Sequence, residues 1–152
     1  MPHFVKVTRI RPTDAEAHYQ AAFCLIRLGR TEDAIASYRE ALRLRPGWPE
    51  AQNDLAWVLA TTTDDKLRSP NEAGWLAKTG FEVARGKPPL FLDTLAAAQA
   101  GVGDFANAQK TEQVAIDTAK ALGDEKLAAR MERHMAAYKE NKAYREESPA
   151  VQ

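Results

Sequence analysis

Apolar and small residues recur at three- and four-residue spacing along most of the chain, and strictly alternating apolar positions are absent. Such spacing places apolar side chains on one face of an α-helix, whereas alternation would indicate strands. Two segments between Pro12 and Pro46 show it, from Ala15 to Leu28 and from Ala34 to Leu44. We therefore predict a pair of amphipathic helices joined by the short turn around Gly29.

Local signals mark the ends of these two helices. Thr13 and Glu16 have the spacing of a capping box, which predicts that the first helix begins there. Gly29 can adopt the left-handed conformation that commonly ends a helix. Pro46 cannot continue the second helix, because it lacks a backbone N–H and its ring clashes with the preceding turn.

The pattern recurs further along the chain. Pro12 and Pro46 are 34 residues apart. Three later pairs share one separation of 74 positions: Gly29 and Gly103, Ala34 and Ala108, and Ala41 and Ala115. That separation equals two 34-residue units plus six residues, and agreement among independent positions indicates an internal repeat.

The repeat resembles the tetratricopeptide repeat. The small residues typical of that family fall on Ala22, Ala34 and Ala41, its aromatic residue on Tyr38 and its proline on Pro46. The resemblance implies an all-α fold, a right-handed α-solenoid of helix-turn-helix repeats with a C-terminal capping helix. His18 departs from the family, which has an aromatic residue at the equivalent position.

The same pattern divides the chain into one predicted domain over residues 1–147. Its predicted parts are a partial repeat helix at 1–12, repeats at 15–48, 49–88 and 89–122, and a capping helix at 124–145. A long loop at 61–69 extends the second repeat, and residues 148–152 form a predicted disordered tail. Ser69-Pro70-Asn71-Glu72 is a predicted helix start with a serine cap. The terminal helix is predicted to run from about Glu125 to Tyr144. The stretches at 55–61, 92–98 and 144–146 resemble those in the C-terminal segment of larger bacterial tetratricopeptide proteins.

Composition excludes several functions. Twenty-one basic residues balance twenty-one acidic ones, so the basic excess of a nucleic-acid-binding protein is missing. No apolar run approaches the roughly 20 residues that span a bilayer, so we expect no membrane insertion. The chain has no recognisable nucleophile–base pair or phosphate loop, and we expect no catalysis and no cofactor. Either the cytoplasm or the periplasm would suit such a chain.

Cysteine and histidine offer little chemistry at the sequence level. Cys24 is the single cysteine, which excludes an internal disulfide, and we expect a buried, inert thiol. His3, His18 and His134 lie far apart in sequence and lack neighbouring ligands. The sequence therefore predicts no metal site.

The resemblance implies a protein or peptide ligand on the concave surface formed by the first helix of each pair. The candidate binding residues on that surface are Tyr19, Phe23, Arg27, Asn53, Asp54, Trp57 and Asp93. The aromatic members would hold an apolar side chain, and the two aspartates would favour a basic ligand. Trp57 could instead pack structurally, with its indole N–H bonded to Asp93 or to a carbonyl.

One specific ligand is excluded by the same comparison. Chaperone-binding members of the family hold a terminal carboxylate with basic and amide side chains. In this chain the equivalent positions carry Tyr19, Phe23, Asp54, Leu90 and Thr94. The expected function is therefore a scaffold for another partner. Two alternatives are self-association as a homodimer through the incomplete N-terminal repeat, and an accessory role in a larger membrane-anchored or glycosyl-transferring enzyme.

Overall fold

The computed structural model describes residues 13–84 and 88–146. Within these ranges the chain forms seven α-helices: α1 Ala15–Arg27, α2 Thr31–Leu44, α3 Pro49–Thr61, α4 Pro70–Val83, α5 Pro89–Gly101, α6 Phe105–Ala121 and α7 Glu125–Lys139. The described part contains no strand, and its one β-bridge joins Thr62 to Glu146. The predicted all-α fold is confirmed.

The helices pack in sequence order. The closest contacts lie within the pairs α1–α2, α3–α4 and α5–α6, and α7 packs on α6. Helices α3 and α5, the first members of two successive pairs, also contact each other. This sequential packing is that of a helical repeat solenoid.

Small residues set the spacing between the paired helices. Ala22, Ala34 and Ala41 are completely buried, which lets α1 and α2 approach closely. Leu55 and Leu59 fill the adjoining core, which continues into α4 and α5. The predicted pattern of small and bulky positions therefore corresponds to the observed core.

The turns after three of the helices share one conformation. Gly29, Gly103 and Gly123 have φ of 77°, 86° and 79°. The following N–H bonds back to a carbonyl five residues earlier, as in the bond of 2.9 Å from Arg30 to Leu25. This arrangement is the Schellman motif, in which glycine avoids the steric cost of a positive φ. The prediction for Gly29 is confirmed.

One predicted helix cap is wrong, and the other has the predicted position but lacks the side-chain bond. Asp14, and not Thr13, caps α1, since its Oδ1 accepts a hydrogen bond of 3.2 Å from the Ala17 N–H. Ser69 occupies the N-cap position of α4, but its side chain makes no capping bond. Its backbone N–H instead donates to the Leu59 carbonyl at 2.9 Å and ties the loop to the end of α3.

The connection between α3 and α4 is compact. Leu67 packs against the main core, and the Arg68 guanidinium pairs with Asp65 and donates to the Thr62 carbonyl at 3.3 Å. These contacts hold the long connection against the protein surface.

The terminal helix is shorter than predicted. It ends at Lys139 and not near Tyr144, because Asn141 adopts a positive φ of 57° and the Lys142 N–H bonds back to the Ala137 carbonyl at 2.9 Å. Residues 142–146, called the C-terminal segment below, then run without helical structure back towards α3. The predicted partial helix at 1–12 and the predicted tail at 148–152 lie outside the described residues.

Candidate functional site

A cleft lies where α1, α3 and α5 meet α7 and the C-terminal segment, and it is called the inner cleft below because the first helices of the pairs line it. Its volume is about 270 Å³. The residues that line this inner cleft are Phe23, Ile26, Tyr38, Asn53, Asp54, Trp57, Val58, Leu90, Asp93, Thr94, Arg130 and Glu146.

Most of the residues predicted to bind a ligand meet in this cleft. Phe23, Asn53, Asp54, Trp57 and Asp93 all contribute to its wall. Tyr19 and Arg27 do not line it. Arg27 is exposed at the last turn of α1, whereas Tyr19 contacts the lining residue Asp54.

Tyr19 fixes the position of the Asp54 carboxylate. Its hydroxyl donates a hydrogen bond of 2.5 Å to Asp54 Oδ2. Its ring packs against Trp48 and Tyr38, with centroid separations of 4.5 and 5.9 Å. Tyr19 thus supports the cleft from outside it.

The surroundings of Asp54 oppose its negative charge. Burial raises the pKa of this carboxyl above its ordinary value, and the charge of Glu50 adds to the increase. The hydrogen bond from Tyr19 lowers the pKa and partly offsets burial. A bound cation would therefore relieve an unfavourable charge at this point of the cleft.

Trp57 makes a different contact from the two that were predicted for it. Its indole N–H donates to a Glu146 carboxylate oxygen, and not to Asp93 or a backbone carbonyl. Asp93 is engaged elsewhere, because its Oδ1 lies 2.8 Å from His134 Nδ1. The sequence pattern did not predict a return of the chain beyond α7, and that return brings Glu146 to Trp57.

The C-terminal segment also bonds to the end of α3 through backbone atoms. The Glu146 N–H donates to the Thr61 carbonyl at 2.8 Å, and the Arg145 guanidinium donates to the Ala60 carbonyl at 3.3 Å. Carbonyl groups at a helix C-terminus have no partner within the helix and carry partial negative charge. The segment therefore closes one end of the cleft.

Two apolar side chains remain exposed at the cleft. Phe23 of α1 is 50% exposed and Leu90 of α5 is 42% exposed, and both line its wall. Together with the Trp57 ring they form an apolar surface beside the Asp54 carboxylate.

Comparison with known families supports the sequence pattern directly. The family model of the tetratricopeptide repeat matches residues 15–48, which contain α1 and α2. The succeeding helices continue in the same paired order. Residues 15–48 are therefore a tetratricopeptide repeat, and the seven described helices fit a tetratricopeptide repeat protein. The comparison with curated proteins found no match, and the comparison with solved structures found none.

The family assignment gives a general function. Tetratricopeptide repeats mediate interactions between proteins and typically act without catalysis, so a protein partner is indicated for this chain. None of its described helices combines the length and apolar character needed to cross a bilayer.

The repeat array also contains a buried polar cluster that the sequence did not predict. Asp93 of α5, Glu112 of α6 and His134 of α7 bring one oxygen or nitrogen atom each to within 4.8 Å of one another. Glu112 and His134 are separated by 22 positions in the sequence, so no local motif joins them. One feature of the sequence could have indicated this cluster. Glu112 lies between Ala108 and Ala115 on the face of α6 that otherwise carries small buried residues.

The Cys24 thiol is less buried than predicted. The side chain of Cys24 is free and only partly covered. Its position on α1 explains this, since Ala21, Ala22 and Leu25 occupy the buried face of that helix.

Proposed function

We propose that the inner cleft binds an extended segment of a protein partner that presents an apolar side chain next to a basic one. The apolar side chain would contact Phe23, Trp57 and Leu90. The basic side chain would pair with Asp54. The juxtaposition of exposed apolar surface and a half-buried carboxylate in one cleft is the observation that supports this proposal.

Charge favours a basic ligand over an acidic one. Asp54, Asp93 and Glu146 line the cleft, against one basic lining residue, Arg130. Asp93 is paired with His134, which leaves Asp54 as the acid best placed to meet a ligand. Complementary charge of this kind fixes orientation and accelerates encounter more than it adds affinity.

The C-terminal segment supports an extended ligand over a helical one. It already places a non-helical stretch of backbone against the end of α3, with a backbone hydrogen bond from Glu146 to Thr61. Extended backbone from a partner would bind along the rest of the cleft, beyond this segment.

A selection from a random peptide library displayed on phage, with the complete chain immobilised, tests the proposal. We expect enriched peptides that pair an arginine or lysine with an apolar residue. Asp54→Lys should weaken binding of these peptides at least about tenfold, since it replaces attraction by repulsion. Asp117→Lys makes the same charge change on the exposed face of α6 and should leave affinity unchanged.

A second matched pair tests the apolar contact. Phe23→Ala should reduce affinity for the same peptides while costing about 1 kcal/mol or less in folding stability, because the ring is half exposed. Val114→Ala removes a side chain of similar exposure from α6. Equal binding by all four variants and the wild type would contradict a ligand site in the inner cleft.

A further inference from the structure

Three helices bring two carboxylates and one imidazole, which are common metal ligands, together at one buried point. Asp93 is 3%, Glu112 is 0% and His134 is 1% exposed. His134 Nδ1 lies 2.8 Å from Asp93 Oδ1 and 4.0 Å from Glu112 Oε1. The packing of α5, α6 and α7 thus holds two carboxylates and an imidazole around a common centre.

Glu112 is the unusual member of this cluster. Neither of its carboxylate oxygens accepts a hydrogen bond from a donor group among the described residues. A buried carboxylate normally receives several such bonds, because removing it from water without them is costly. The nearest ionisable neighbours are Asp93, which has the same charge, and His134.

We propose that Asp93, Glu112 and His134 form a binding site for a divalent transition-metal ion, with Zn²⁺ as its most suitable probe. The donor set of two carboxylate oxygens and one imidazole nitrogen is one that Zn²⁺ accepts. Two carboxylates and a neutral imidazole around a divalent ion sum to zero charge, which is the arrangement that a dry site favours.

The spacing of the donor atoms agrees with this assignment. Tetrahedral ligands at about 2.0–2.1 Å from a zinc ion lie roughly 3.3 Å from one another. The two distances from His134 Nδ1 fall on either side of that separation, at 2.8 and 4.0 Å. Small side-chain rotations, without movement of the helices, would place the three atoms around an ion.

The surroundings enclose the cluster, which borders the inner cleft. The His134 ring is covered by Tyr144 and Trp57, with centroid separations of 4.2 and 5.3 Å. Asp93 lines the inner cleft and also belongs to the cluster, so this residue lies between the site and the cleft. The Tyr138 hydroxyl, one turn beyond His134 on α7, is also buried and has no hydrogen-bond partner within residues 13–84 and 88–146.

A proton is the competing occupant. Burial, the negative charge of Asp93 and the hydrogen bond that a protonated Glu112 would donate to the Asp93 carboxylate raise the pKa of Glu112 to about 11. A proton on Glu112 would remove the negative charge of that carboxylate from the cluster without a metal ion. Direct measurement of metal binding distinguishes these two states of the cluster.

The test is a calorimetric titration of the complete chain with Zn²⁺ after treatment with a chelator, together with the visible absorption spectrum of added Co²⁺. We expect one ion per chain and a Co²⁺ spectrum that differs from that of the free ion. Glu112→Gln and His134→Gln should each weaken binding at least about 100-fold, because each removes a ligand. His18→Gln alters a histidine outside the cluster and should bind as the wild type does.

The glutamine variant keeps this test interpretable. Glutamine matches the size of glutamate and is uncharged, so Glu112→Gln should retain the helical circular dichroism of the wild type. Absence of Zn²⁺ and Co²⁺ binding by the wild-type chain would overturn the proposal, even if a variant failed to fold. Unchanged binding by both glutamine variants would overturn it as well.

Discussion

Asp54 is a carboxylate whose surroundings disfavour its charge. Its pKa is raised chiefly by burial, so the folded state binds a proton more tightly than the unfolded chain does. Its contribution to stability is consequently greatest below the pKa of the unfolded carboxyl and falls as pH rises through the folded value. The charge is retained at a cost, which is common where a side chain serves binding.

The pH dependence of the contribution of Asp54 to stability can be tested with a neutral side chain at this position. Asp54→Asn should be more stable than the wild type at pH 7, and the difference should diminish as the pH is lowered to 4, because the Asp54 carboxyl takes up a proton along the way. Asparagine keeps an oxygen that can accept the Tyr19 hydrogen bond. Urea unfolding of both proteins at the two pH values measures the difference. A variant that is less stable at pH 7, and closer to the wild type at pH 4, would show that the Tyr19 bond outweighs burial.

Single residues differed greatly in how well the sequence predicted them. The buried alanines and Gly29 were predictable because the repeat restricts their size or backbone conformation. The choice of Phe23 and Asp54 followed from the resemblance to the tetratricopeptide repeat, which assigns these positions of α1 and α3 to the ligand-binding surface, and both residues line the cleft. The contact between Glu112 and His134 was not predictable, because it depends on the packing of successive helices and not on any local spacing.

At the scale of elements, two glycines test how closely the helices approach. A Cβ atom added to Gly101, at the end of α5, would lie 2.7 Å from the Pro70 Cβ. A Cβ atom added to Gly74, within α4, would make an ordinary contact of 3.7 Å with Ala98. The first space is too small for a methyl group and the second admits one.

Alanine substitutions at these two positions should therefore have opposite effects. Gly101→Ala should destabilise the fold by about 1–3 kcal/mol, since the proline ring cannot yield easily. Gly74→Ala should stabilise it by about 0.5–1 kcal/mol through helix propensity. Chemical denaturation measures both changes. Stabilisation by the two substitutions alike would mean that α4 and α5 are farther apart than described.

The C-terminal segment is the element that the sequence predicted least well. Its residues continue a helical composition, but the left-handed Asn141 ends α7 at Lys139. Asparagine tolerates that conformation, yet its presence alone does not establish that a helix stops there. The docking of Tyr144 on His134 depends on contacts between distant residues, which helical periodicity does not report.

Docking of the segment should contribute measurably to stability. Tyr144→Ala should cost about 1–2 kcal/mol by removing the ring contacts with His134 and Trp57. Tyr144→Phe keeps the ring and should cost much less. Urea unfolding followed by circular dichroism compares them. Equal stability of the alanine variant and the wild type would show that the segment is not docked in solution.

At the scale of the whole molecule, the repeat array separates an inner surface from an outer one. The inner cleft gathers Phe23, Asp54 and Trp57 from two helix pairs, which no single pair could do alone. The second helices of the pairs, called the outer helices here, also expose apolar residues. Trp75 of α4, for example, is 66% exposed. We propose that the partner binds to the surface formed by the first helices and not to the second helices.

The tryptophan side chains provide the most direct measurement of that claim. The chain has three, Trp48, Trp57 and Trp75, and each indole N–H gives a separate signal in a nitrogen–proton correlation spectrum. Titration with a selected peptide should shift the Trp57 signal strongly and leave the Trp75 signal in place. A peptide that shifts Trp75 and leaves Trp57 unchanged would place binding on the outer helices and contradict the account.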